Sequence, residues 1–252
     1  MREIVAVVNQ KGGSGKTTTV NALGIGLKKK GYKVLFIDLD GQANLTMAIQ
    51  ADQSKGNMLD VLTKKIGINE AIQSLVTGDI LAGDEELFKA DIVITDTNRE
   101  YAMKEAINEL CNEYDYIVID TPPALCILTI NALVASSSVI IVSQAEKYDL
   151  NGVDRVYKII DSIQKQRNKD LVIRGILLTM FRERTRLNRD FARLMHEIAK
   201  KFNTKIFKTT IRDSIVVNEA QAKNMPILNY APKSKVAKDY EMFVEEFLGD
   251  QQ

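Results

Sequence analysis

Short continuous apolar runs alternate along the chain with stretches whose apolar positions recur at helical spacing. Ile4–Val8 (IVAVV), Lys33–Leu39 (KVLFIDL), Tyr116–Asp120 (YIVID), Ser138–Val142 and Leu171–Leu178 are rich in β-branched residues, the pattern of strands covered on both faces. Between the first two, Thr17–Lys30 carries Val20, Leu23, Gly24 and Leu27 at helical spacing, then a basic end and Gly31 as a stop. Gly152–Lys165 places Val153, Val156, Ile159, Ile160 and Ile163 on one face. Glu100–Tyr114, Leu128–Ala135, Leu187–Phe202, Val217–Lys223 and Lys235–Leu248 read as further helices, and Gly56–Lys65 and Ile68–Leu75 as short helical pieces. Ile92–Thr95 reads as an edge strand and Lys205–Thr209 as a short strand. This alternation predicts an α/β fold, a mostly parallel twisted sheet with right-handed crossovers and helices on both faces. Such sheets bind ligands at the carboxyl ends of their strands.

Neither repeats nor low-complexity linkers divide the 252 residues, so residues 1–252 are expected to form a single domain. A hydrophobic fraction of 45% is enough for a sizeable core. Lys+Arg 34 against Asp+Glu 33 leaves a formal charge of +1, so no global field recruits a polyanion and any such partner must be met by a local patch. Cys111 and Cys126 are too few and too unpatterned for a disulfide framework or a zinc site. With no secretory layout at the start and no apolar run long enough for a bilayer, a cytoplasmic protein is expected.

Chemistry concentrates at three strand ends. The segment Lys11–Thr18 (KGGSGKTT) joins the first predicted strand to the first predicted helix. A glycine-rich turn in that position can wrap its N–H groups around phosphate oxygens, with the helix N-terminus adding positive partial charge. Gly12, Gly13 and Gly15 admit close approach, Ser14 and Thr18 complete the cradle, Lys16 supplies a point charge to the β/γ-phosphates, and the Thr17 hydroxyl suits Mg²⁺. The phosphate-loop pattern G-x-x-x-x-G-K-[ST] has Gln10 at its first position here and a second lysine, Lys11, inside the loop. Asp38 and Asp40 follow the second strand in FIDLDGQANLT, and Asp120 ends YIVID before Thr-Pro-Pro. An acid at such a tip can hold Mg²⁺ directly or through water.

The KGGxGKT loop resembles the "deviant" P-loop of the ParA/MinD/Soj ATPases, and the resemblance extends through FIDLD, YIVIDTPP and the tail Thr209–Tyr240 to nearly the full length. It implies a P-loop NTPase fold with ATP and Mg²⁺ as cofactors. Lys11 would reach across a homodimer to the phosphates bound by the other subunit, Asp40 would orient the attacking water, and Asp38 would support the metal shell. Gly41 stands where the family has proline and Ala43 where it has glycine, while Ile211 and Asp213 occupy the adenine-contact positions usually held by proline and asparagine. Similarity to partition ATPases further implies nonspecific DNA binding by the ATP-bound dimer and a ParB-like partner that stimulates slow hydrolysis. Candidate DNA contacts are Arg182, Arg184, Arg186, Arg189, Arg193, Lys208, Arg212, Lys233 and Lys235, part of a basic concentration in the second half of the chain. A MinD-like peripheral membrane ATPase is the alternative, which the acidic, polar VEEFLGDQQ ending disfavours, so no stable membrane binding is expected. An iron–sulfur ATPase using Cys111 and Cys126 would require glycine-embedded cysteines, which are absent, and the lone His196 carries no catalytic role.

Overall fold

The computed structural model describes residues 2–111, 114–144, 149–182 and 186–249. Among the described residues, seven strands form one sheet: β1 (Glu3–Val8), β2 (Val34–Asp38), β3 (Ile72–Ser74), β4 (Asp79–Leu81), β5 (Tyr116–Asp120), β6 (Ser138–Gln144) and β7 (Val172–Thr179). Their order is β3-β4-β2-β5-β1-β6-β7, parallel except for the β3–β4 hairpin at one edge. The predicted parallel α/β sheet is thus present, with β1 and β5 at its centre.

Twelve α-helices among the described residues surround it. Those of the first half are α1 (Lys16–Lys29), α2 (Asn44–Ile49), α3 (Met58–Leu62), α4 (Ile68–Ala71), α5 (Ala90–Val93) and α6 (Ala102–Asn108). They are followed by α7 (Ile127–Ala135), α8 (Asp149–Gln166), α9 (Arg186–Lys201), α10 (Ile215–Ala222), α11 (Ile227–Tyr230) and α12 (Lys235–Gly249). Strand pleating sends alternate side chains to opposite faces, which splits the interior into two cores. Ala6, Val8, Leu35, Ile37, Ile117 and Ile119 join the core under α3 to α9, whereas Val5, Val7, Phe36, Val118, Ile140 and Leu177 face α1, α2 and α10 to α12. Both faces are covered, which is why the strand sequences are continuously apolar rather than alternating.

Helix α1 is buried over most of its circumference, and two glycines permit this. A Cβ on Gly24 would lie 2.1 Å from the Phe36 ring of β2, and one on Gly26 would lie 2.6 Å from Val244 of α12. The helix stops where predicted, with Gly31 in the left-handed region at φ 93° and its N–H donating to the Lys28 carbonyl.

Three expectations change. Ile92–Thr95 is not an edge strand: Ala90–Val93 is helical, with Ile92 and Val93 exposed. The edge is formed by β3 and β4, and β3 takes the second half of the piece read as a helix over Ile68–Leu75. Lys205–Thr209 contributes a single parallel bridge, Ile176 to Ile206, rather than a strand. No described helix is long and apolar enough to cross a membrane.

Candidate nucleotide site

The carboxyl ends of β1, β2 and β5 bring the three predicted segments together. The register pairs Val7 of β1 with Asp120 of β5, and Asp38 of β2 with Asp120, so the loop strand and both acid-bearing strands end side by side. The loop then turns through Gly13 (φ 71°) and Gly15 (φ 91°) into α1. Any side chain at these two angles would be strained. No acidic residue occupies the first turn of α1, and Gly15, its N-cap, offers no side-chain cap. The first N–H groups of the helix therefore face the cleft without a carboxylate competing for them.

The loop is fastened to the neighbouring strand tips by residues the sequence did not single out. Asn9 donates through Nδ2 to the Val142 carbonyl at 2.8 Å and accepts the Lys11 N–H at 3.0 Å. Gln144, the last residue of β6, donates to the Gly13 carbonyl at 2.6 Å and accepts from Lys11 Nζ. Thr179 at the end of β7 donates to the Ser14 carbonyl at 2.8 Å. Each is a polar residue closing an apolar strand at its carboxyl end, and that position was the available signal. Lys16 is buried at the base of the loop, its Nζ 3.3 Å from the Lys11 carbonyl.

The three acids sit in different environments. Asp40 borders the cleft and accepts the Gln42 N–H at 3.0 Å. Asp38 is fully buried; one oxygen accepts the Thr46 N–H at 2.9 Å and hydroxyl at 2.8 Å, the other the Asp40 N–H at 3.1 Å. Burial nevertheless dominates and pushes its pKa from 3.8 up to about 6, with those hydrogen bonds opposing the rise. Asp120 is also fully buried, and among the described residues neither carboxylate oxygen makes a hydrogen bond of normal geometry. Burial first, and the Asp38 charge second, push it well above the carboxylate range, while the Thr17 hydroxyl and Lys16 ammonium oppose the rise. A buried carboxylate so poorly satisfied, beside a second acid, is the arrangement a cation would relieve. Asp120 with Asp38 and Thr17 therefore fits a bound divalent ion.

A cleft of about 470 Å³ opens in front of the loop. Its floor is Gly12–Thr18, one lip is Asp40 and Gln42, and the far wall is Ile211–Ser214 with α10. Ile211 and Asp213 are thus brought to the cleft as expected, but their chemistry differs. Ile211 is buried and fixed by backbone bonds to Leu178 and Phe181, and Asp213 is held by Arg182. Gln221 of α10 also reaches across to the Thr18 hydroxyl at 3.2 Å.

The basic candidates divide. Arg212 makes a two-pronged pair with Asp239 of α12 at 2.6 and 2.7 Å, and Arg182 pairs with Asp213. Those two guanidiniums are therefore partly committed within the fold. Lys208, Lys233 and Lys235 are exposed, as is Arg193 on α9. Arg186 and Arg189 fall in the first turns of α9, and Arg184 lies outside the described residues. By helical spacing, positions 186, 189, 193 and 200 share the face of α9 opposite buried Phe191, Met195 and Ala199. Cys111 is exposed and Cys126 partly buried; neither meets the other or a metal-ligand group among the described residues.

A parallel sheet with this glycine loop between its central strand and a buried helix, and with carboxylates on the adjoining strand tips, defines a P-loop NTPase. More narrowly, the chain belongs to the ParA/Soj family of partitioning ATPases in the ParA/MinD superfamily, and the family described as AAA domain matches residues 2–173. It is 38% identical over 245 residues to the sporulation initiation inhibitor protein Soj of Bacillus subtilis, covering 95% of this chain and 96% of that one. It is 33% identical over 248 residues to the chromosome partitioning protein ParA of Myxococcus xanthus, covering 94% and 84%. Among solved structures it resembles a cobyrinic acid a,c-diamide synthase from Mycobacterium smegmatis with bound ADP and magnesium. The TM-score is 0.83 at 31% identity, over 97% of this chain and 93% of that one.

Proposed function

We propose that this protein is an ATP-driven DNA-segregation ATPase, one unit over residues 1–252. ATP and Mg²⁺ bind in the loop cleft, the ATP-bound form pairs with a second copy and binds duplex DNA nonspecifically, and a ParB-like partner stimulates the hydrolysis that releases it. The observation that carries this reading is the loop itself, with Lys16 buried at its base, Lys11 inside its turn with its ammonium on Gln144, and Asp40 on the opposite lip of the cleft the loop floors. The relatives named for chromosome partitioning and the basic face of α9 favour DNA partitioning over a synthase activity.

In this mechanism the loop N–H groups and Lys16 bind the β- and γ-phosphates, and the Gly13 and Gly15 turns keep that cradle preformed. Thr17, Asp38 and Asp120 would hold the cation, which when bound would supply charge neutralisation at the transferring phosphoryl group. Asp40, two residues beyond the end of β2 and fixed by the Gln42 N–H, orients the attacking water. Lys11 contributes its charge to the second copy's phosphates, so ATP favours the paired state through contacts that ADP lacks.

The test is binding to nonspecific duplex DNA with ATP, ADP or no nucleotide at two salt concentrations, with Lys16→Ala as control. Binding with ATP alone that weakens steeply with salt supports the reading, because neutralised phosphates release counterions. Indifference to DNA in every state refutes it, and flotation with anionic liposomes then tests the MinD-like alternative.

A further inference from the structure

We propose that Gln144 is a latch that holds Lys11 against its own phosphate loop and thereby sets how readily an ATP-loaded protomer pairs with a second copy. This rests on the partition-ATPase reading, in which Lys11 acts on the other copy's phosphates. Gln144 is buried at the tip of β6 and engages the loop with both ends of its amide. Its Nε2 donates to the Gly13 carbonyl at 2.6 Å and its Oε1 accepts from Lys11 Nζ, while Asn9 ties the Lys11 backbone to the same strand tip. The lysine is folded back along its own protomer, and an ammonium seated there must leave Oε1 before it can serve a second molecule.

The chemistry of the partner atom sets the strength of the hold. A neutral amide oxygen gives the ammonium an ion–dipole hydrogen bond that a phosphate can outcompete, whereas a carboxylate in the same place would add an opposite full charge to that bond. Gln144→Glu therefore tightens the latch, and Gln144→Met, nearly the same shape without an acceptor, opens it. Both variants lose the amide donor to Gly13, so opposite effects in the two cannot come from that loss. Two latches open per dimer, so a change of about threefold per protomer becomes about tenfold in the dimer dissociation constant.

Two measurements on the full chain test this. The first is the rate of Lys11 acetylation by acetic anhydride in nucleotide-free protein, read by mass spectrometry and normalised to the other lysines. The second is the dimer dissociation constant from analytical ultracentrifugation at saturating AMPPNP. The expected order for both reactivity and pairing is Gln144→Met above wild type above Gln144→Glu, with about threefold steps in acetylation and about tenfold steps in pairing. Equal acetylation in all three proteins, or a pairing order that does not follow it, overturns the latch. If wild type stays monomeric with AMPPNP, the partition-ATPase reading fails instead, and the acetylation order alone still decides whether Gln144 holds Lys11.

Discussion

The buried acid pair makes the nucleotide-free protein less stable as pH rises, and Asp120→Asn is the perturbation that isolates it. Asp38 has a folded pKa of about 6 against an ordinary 3.8, a displacement corresponding to about 3 kcal/mol. Between those values the folded state holds a proton that the unfolded state has released, so stability is greatest below the lower value and is lost as pH rises through the upper one. From pH 5 to pH 8 the Asp38 share of that loss is on the order of 1 kcal/mol, roughly 2–4 °C in Tm for a chain of this size. Asp120, raised further by burial and by Asp38, adds loss of the same sign. Asparagine at 120 removes the buried charge but leaves an amide among atoms that gave the carboxylate no hydrogen bond of normal geometry, a cost of about 1–3 kcal/mol that does not vary with pH. The variant is therefore expected to lose less Tm than wild type between pH 5 and pH 8, and to lose cation-dependent hydrolysis. Thermal unfolding of nucleotide-free protein across this range, repeated with Mg²⁺ and ADP to relieve the charge, is the assay. A wild-type Tm that rises with pH, or an unchanged slope in Asp120→Asn, refutes the reasoning.

Gly12→Val is expected to fold within about 0.5 kcal/mol of wild type, because a Cβ there meets nothing within 4 Å, yet to fail to pair. Ultracentrifugation with AMPPNP checks this, and a normal dimer would contradict the closure mechanism. Asp40→Ala is expected to bind ATP and pair but to hydrolyse about 100-fold or more slowly, as measured by phosphate release; wild-type turnover would remove Asp40 from the mechanism. Thr46→Val deletes the hydroxyl that donates to Asp38 and accepts the Gly83 N–H, both at 2.8 Å, and leaves that N–H buried and unpaired. A loss of about 2–4 kcal/mol is expected by urea unfolding.

Much of the sheet was legible in the sequence because its strands are buried on both faces and so read as unbroken apolar runs. Tyr116–Asp120 matches the structure residue for residue, and the α1 boundaries follow from the loop before it and Gly31 after it. The β3–β4 edge was not legible. Its strands are three residues each, and the apolar run Ile92–Ile94, of which Ile92 and Val93 are exposed at the end of a four-residue helix and Ile94 is buried just beyond it, imitates a strand better than they do. The loop glycines, both lysines and the three acids expected from short consecutive segments do come to adjoining strand tips, because each segment ends or directly follows a strand of the central sheet. Asn9, Thr46, Gln144 and Thr179 were not legible in the sequence, since their partners lie 133, 8, 131 and 165 residues away in the chain.

The sequence by itself therefore determined the class of fold and, as local patterns, the glycine-lysine loop and the three acids that end or follow the neighbouring strands. The tertiary structure alone decided their states. Strand register set Asp120 beside Asp38 without a hydrogen bond of normal geometry, packing committed Arg212 to Asp239 and Arg182 to Asp213, and the tip of β6 took hold of Lys11. Burial and pairing depend on which distant segments meet, and that is fixed only when the sheet assembles.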